Sequence, residues 1–160
     1  MKMFRLAVAF VIILCAVAAT AQSDAKASFN TIKSLQGTWT GKDMRGKPFQ
    51  VVFRTISNGS AVVSEIVRKE DMVSMFHLDG DRLLMTHYCA AGNQPRMAAK
   101  TSPDGKTFTF EFVDATNLAS SDEGHMQRMV LTVLDENHHT EDWTFVDGGK
   151  ESRERFDLQR

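Results

Sequence analysis

The clearest pattern in the chain is the alternation Thr107-Phe108-Thr109-Phe110-Glu111-Phe112, which puts three rings on one face of an extended segment and polar groups on the other. On either side of it, short runs of strand character end at turn signals about every ten residues. That rhythm predicts an all-β sandwich or barrel. After a first strand that begins near Gly37, the runs cover 49–57, 60–68, 72–78, 82–89, 96–101, 106–113, 125–134, 138–146 and 150–158. Residues 114–124 form the longest stretch without strand character, read as a loop, with or without a helical turn, over one barrel mouth.

The hairpin 49–57/60–68 decides between sandwich and barrel. Asn58-Gly59 supplies the two positive φ angles of a type I′ turn. With Ser57 opposite Ser60, Val51, Phe53 and Thr55 share a face with Val62, Ser64 and Ile66. Val52, Arg54 and Ile56 share the other with Ala61, Val63 and Glu65. Both faces mix polar and apolar groups, which suits a barrel with a semi-polar interior. Phe29, Ile32 and Leu35, spaced by three, predict one helical turn capping an end of it. The expected fold is therefore a single antiparallel up-and-down β-barrel of about ten strands with a short N-terminal helical turn.

Composition changes the picture at the N-terminus. Lys2 and Arg5 precede the apolar run 6–19, which ends in Ala19-Thr20-Ala21, the pattern of a secretory signal peptide over residues 1–21. A flexible leader over 22–28 and a barrel domain over 29–160 follow, for a secreted or periplasmic protein. Lys2 and Arg5 leave with the signal, so 20 acidic residues slightly outnumber the remaining basic ones, and no basic run marks a nucleic-acid partner. Arg54, Glu65, Arg68, Glu111 and Arg128 interrupt the strands where a membrane-spanning barrel needs a lipid face, so no membrane span is expected in the mature chain. Cys15 lies in the signal, leaving Cys89 without an internal disulfide partner.

Gly37-Thr38-Trp39 near the start, a meander of strands and a basic last strand together resemble the calycin superfamily of lipocalins, fatty-acid-binding proteins and nitrobindin-like barrels. The resemblance implies that Gly37 and Trp39 are structural, with Trp39 plugging the barrel floor beneath Arg153 or Arg155 of the last strand. Only residues 43–48 stand between the first two strands, too few for the helical pair of fatty-acid-binding proteins. Likeness to nitrobindin-like barrels implies haem held by a late histidine, with His138 and His139 as candidates. Thr86-His87-Tyr88-Cys89 with Asn93-Gln94-Pro95-Arg96-Met97 is similar to uncharacterised exported bacterial proteins, a similarity that brings no biochemical role.

Chemistry-bearing residues gather in the middle of the chain. His87 and Cys89 lie two apart on one strand, His77 lies on its hairpin partner, and His125 ends the long loop. These four form a candidate metal set, although their spacing matches no established zinc motif. Met72, Met75, Met85, Met97, Met126 and Met129 offer adaptable apolar surface, for the most part as barrel filling. The candidate ligand contacts are Met75, His77, Met85, His87, Tyr88, Gln94, Arg96, Glu111 and His125. There is no Gly-x-Ser-x-Gly, His-Glu-x-x-His or phosphate-cradling loop, and Asp122, Glu123 and His125 are no more than any polar loop supplies, so no catalytic residue is assigned. The expectation is an exported, soluble, lipocalin-like barrel that binds a small apolar or amphipathic molecule without catalysis. Its alternatives are a metal- or haem-binding barrel, with isomerase-type activity as an extension, and a structural interaction module of the cell envelope.

Overall fold

A computed structural model describes residues 24–160 apart from Met44 and Glu70. The expected signal peptide therefore lies outside the described residues. Ten strands follow one another: β1 (Gly37–Lys42), β2 (Pro48–Ile56), β3 (Ala61–Val67), β4 (Met72–Asp79), β5 (Arg82–Tyr88), β6 (Gln94–Thr101), β7 (Thr107–Thr116), β8 (His125–Asp135), β9 (His138–Asp147) and β10 (Lys150–Gln159). Each pairs antiparallel with the next and β10 returns to β1, closing the barrel in up-and-down order.

The β2–β3 hairpin has the register the turn chemistry demands, with Val51 opposite Ile66, Phe53 opposite Ser64 and Thr55 opposite Val62. Asn58 and Gly59 adopt φ of 53° and 83°, the left-handed pair a type I′ turn requires. The interior is semi-polar, as the mixed faces suggested: Ser64, Ser74, His87, His139 and Glu141 are all buried. On this hairpin Val51, Phe53, Val62 and Ile66 point inward and are sealed, with Ser64 as the polar member of the same face. Trp39, Phe53, Phe76, Phe108, Phe110, Phe156, Met85, Met97, Met129 and Leu131 fill the barrel from the floor upward. A ligand enclosed at the barrel centre would have to displace these side chains.

One end is closed by a helix, α1, over residues 24–34, which takes in part of the expected leader. Ala25, Ser28, Phe29 and Ile32, with Leu35 just beyond, form a buried stripe at helical spacing, and this stripe docks the helix onto the barrel. Ser28 Oγ shares a hydrogen bond of 2.8 Å with Thr101 Oγ1 at the end of β6. Beneath the helix, Trp39 is fully buried and its indole N–H donates to the Leu35 carbonyl at 2.7 Å.

The arginine over Trp39 is Arg160, not Arg153 or Arg155. Its guanidinium carbon lies 4.4 Å from the Trp39 ring centroid, and Nη1 donates to the Gln36 carbonyl at 3.1 Å. The reason is strand direction: β10 starts at the opposite end, so only its last residues reach the floor. Arg153 and Arg155 lie nearer the mouth, paired with Glu151 and Asp142.

Candidate functional site: the open end of the barrel

The end opposite α1 gathers the turns at 43–47, 68–71, 89–93, 117–124 and 148–149. Two breaches in the wall widen it. At the first, β1 meets β10 through the pair Thr40↔Gln159, whereas β10 pairs with β9 along its whole length. That register sets Lys42, the last residue of β1, opposite Asp157. The part of β10 running back to Lys150 extends past β1 and leaves a seam. A cleft of about 460 Å³ occupies it, lined by Asp43, Arg45, Met126, Trp143, Phe145, Ser152, Arg153 and Glu154. At the second breach, β7 and β8 stay in register only as far as Glu111↔Arg128. Beyond it they splay under the 117–124 loop, around a cleft whose wall includes Phe112, Leu118, His125 and Gln127.

The polar groups beneath the mouth are ordered by the inward phase of their strands. His87 on β5 faces Ser74 on β4 across the ladder, and Nδ1 shares a 2.9 Å hydrogen bond with Ser74 Oγ. Its ring lies 4.8 Å from that of Trp143, while Nε2 is buried without a partner among the described residues. Burial, helped by the nearby Arg68 charge, pushes the His87 pKa down to about 4, so the ring is neutral at pH 7. Asn93 donates from Nδ2 to the Gly124 carbonyl at 2.8 Å and ties two mouth loops together, with its Oδ1 also buried and without a partner among the described residues. A bidentate Arg68–Glu154 ion pair, at 2.9 and 3.2 Å, spans the seam from the β3–β4 loop to β10.

Of the polar column on β9, sequence reasoning singled out His139 alone and missed Glu141 and Trp143. His139, Glu141 and Trp143 alternate inward, and all three are buried. Glu141 accepts the Trp143 indole N–H at 3.0 Å, and its other oxygen lies 3.4 Å from His139 Nε2. The signal was a carboxylate, Glu141, at the same strand phase as His139 and Trp143.

The structure scatters the expected ligand contacts. Met85 and His87 point into the barrel and His125 lies at the mouth, where its ring packs on Phe112 at 4.9 Å. Met75 and His77 occupy the half-buried outward phase of β4, and Tyr88 is half exposed. Arg96 and Glu111 pair on the outer surface with Asp114 and Lys100, and Gln94 accepts from Thr116 Oγ1 at 2.7 Å. Of the methionines, Met126 lines the seam cleft, whereas Met72, Met85, Met97 and Met129 are core.

The metal set does not assemble. His77 turns outward to the Leu78 carbonyl, while His87 points inward, and both His125 ring nitrogens are engaged by Glu123 and Gln127. Cys89, whose thiol burial holds in its neutral form, stands past the end of β5. Among the described residues, no group of three or more His, Cys, Asp or Glu is placed to hold a metal ion. The late histidines do not fit haem either. His139 is sealed between Trp39 and Phe53, and His138 pairs with Asp157 at 2.8 Å.

No protein-family model and no curated protein matches the chain. Among solved structures it is similar to Rv2717c from M. tuberculosis. The TM-score is 0.56 at 13% identity, covering 83% of this chain and 96% of that one. Both therefore belong to one class of architecture, the antiparallel barrel.

Proposed function

We propose that this protein is an exported, calycin-like barrel that binds a small amphipathic molecule at its open end, without catalysis. The observation that supports this most is the seam cleft, where Trp143, Phe145 and Met126 offer an apolar wall to a space of about 460 Å³. That volume falls in the range of small-molecule sites, and an apolar wall with a few polar groups is their usual lining. The buried His87 Nε2, without a partner among the described residues and one ring behind Trp143, adds a polar group of the kind that orients a ligand. Export rests on the pattern of residues 1–21.

The test is native mass spectrometry of the mature protein purified from its own compartment, followed by titration of any released molecule into wild type and Trp143→Ala. A retained small molecule whose affinity drops in the variant is the expected result. A protein that carries nothing, and whose Trp143→Ala variant binds added amphiphiles as wild type does, defeats the reading.

A further inference from the structure

We infer that the breach between β7 and β8 receives an extended, cationic peptide segment of another protein, which pairs with it as an added strand. The last pair of that ladder is Glu111↔Arg128, so Phe112 to Thr116 on β7 and His125 to Gln127 on β8 have a strand neighbour on their far sides alone, β6 and β9 respectively. Two facing stretches of main chain are thus left open to each other. Unpaired strand edges are templates for another chain, and strand addition is a general mode of peptide recognition.

The opening is built into both strands. Against β6, Met97 stands opposite Phe112 and Arg96 opposite Asp114, so Val113 is an extra residue on β7. Against β9, Met126 stands opposite Phe145 and Arg128 opposite Thr144, so Gln127 is an extra residue on β8. A bulge therefore follows Glu111↔Arg128 on each side, and bulges bend a strand and end its pairing. The cleft between them measures about 630 Å³ and offers Phe112, Ala115, Leu118 and Val146 to alternate side chains of an inserted strand. Val113, on its wall, is a large apolar side chain left half exposed.

Position and charge select the occupant. α1 and Arg160 lie at the opposite end of the barrel. The 117–124 loop stands over the gap, bonded to the β9–β10 turn by the Gly148 N–H on the Asp122 carbonyl at 2.9 Å, so the sheet edge of a second barrel is kept out while a single extended segment can enter. Among the described residues no lysine or arginine lines the cleft. Asp114 and Glu151 in its wall are paired with Arg96 and Arg153, whereas Asp122 and Asp147 at its rim are exposed and carry no ion pair among the described residues. Lysine or arginine at the outward positions of the segment meets those two carboxylates.

This breach is separate from the seam cleft, so peptide and amphiphile binding stand or fall independently. The experiment is calorimetric titration of the mature protein with three capped peptides: alternating lysine and valine, alternating glutamate and valine, and the lysine peptide N-methylated at every second residue. Hydrogen exchange is followed in parallel. The lysine peptide should slow amide exchange within 112–116 and 125–127 about tenfold, and should bind about tenfold tighter than either of the others. In a D122N/D147N variant its advantage over the glutamate peptide should shrink to about threefold or less, while Trp143→Ala should bind it as wild type does. Equal affinity for the N-methylated peptide, or protection confined to other strands, overturns strand addition. Equal affinity for the glutamate peptide overturns the cationic partner. A dimer of the mature protein that the lysine peptide dissociates would give the gap to a second copy of the chain and overturn the assignment, as would failure of all three peptides to bind.

Discussion

Arg160 and Trp39 close the floor of the barrel from opposite ends of the chain, the guanidinium 4.4 Å above the indole. The stack and the hydrogen bond to the Gln36 carbonyl fix the end of β10 against the start of β1. Arg160→Ala should therefore destabilise the protein by about 1 kcal/mol. Arg153→Ala and Arg155→Ala, which lose only exposed ion pairs, should stay within about 0.5 kcal/mol of wild type. Urea unfolding followed by tryptophan fluorescence ranks the three, and an equal cost for all would contradict the assignment.

Gly41 sits where β1 passes close against β10. A β-carbon there would lie 2.8 Å from the Asp157 carbonyl oxygen and 2.9 Å from a Leu158 methyl. The first contact is backbone and cannot swing aside, so Gly41→Ala should cost about 2 kcal/mol through displacement of the closing strands. Gly46→Ala has open space around its β-carbon but a φ of 76°, so its smaller cost should come from backbone conformation alone. Comparing the two midpoints checks this, and G41A no less stable than G46A would sink it.

Glu141 is a sealed carboxylate whose partners are both on its own strand. Glu141→Gln keeps an acceptor for the Trp143 indole and should be mild. Glu141→Ala leaves that N–H and the His139 ring unpaired beside a void, at a cost of about 3 kcal/mol. Thermal unfolding of both variants provides the measurement. Similar midpoints for the two would show that the acceptor is dispensable.

His87 links stability to acidity. Its folded pKa of about 4 lies below the ordinary histidine value of 6.5, so between these the unfolded chain binds more protons. Stability from this site is complete above pH 6.5 and drains away as pH falls toward 4, by about 3 kcal/mol in all. His87→Gln should lose less stability than wild type over that window. Denaturation curves from pH 7 to pH 4 decide it: parallel pH profiles would falsify the assignment.

The strands were legible because turn chemistry and period-two alternation agree, as at Asn58-Gly59 and along Phe108, Phe110 and Phe112, all in the inward phase of their strand. The register of the β2–β3 hairpin followed from the turn alone. The helix ran longer than Phe29, Ile32 and Leu35 implied because Ala25 and Ser28, too small and polar to mark a face, complete its buried stripe. The site was less readable. His77 and His87 share a hairpin, but the phase of β4 and β5 sends them to opposite faces, as the pairs Ser74↔His87 and His77↔Leu84 make plain. The seam had no local signal, since it arises where β1 stops at Lys42 and β10 does not, a mismatch of two strands more than a hundred residues apart in a chain of 160.

That mismatch also bears on how the chain folds. Every other pairing joins sequence neighbours and forms by extending a meander, whereas β1 must wait for β10 to be made. Loop-closure entropy places such a contact late, so the last step should resemble fastening a sheet that already exists. The Arg160 stack then acts as a kinetic latch. Its loss should speed unfolding while leaving the refolding rate nearly unchanged, a result that stopped-flow chevrons of Arg160→Ala can read directly.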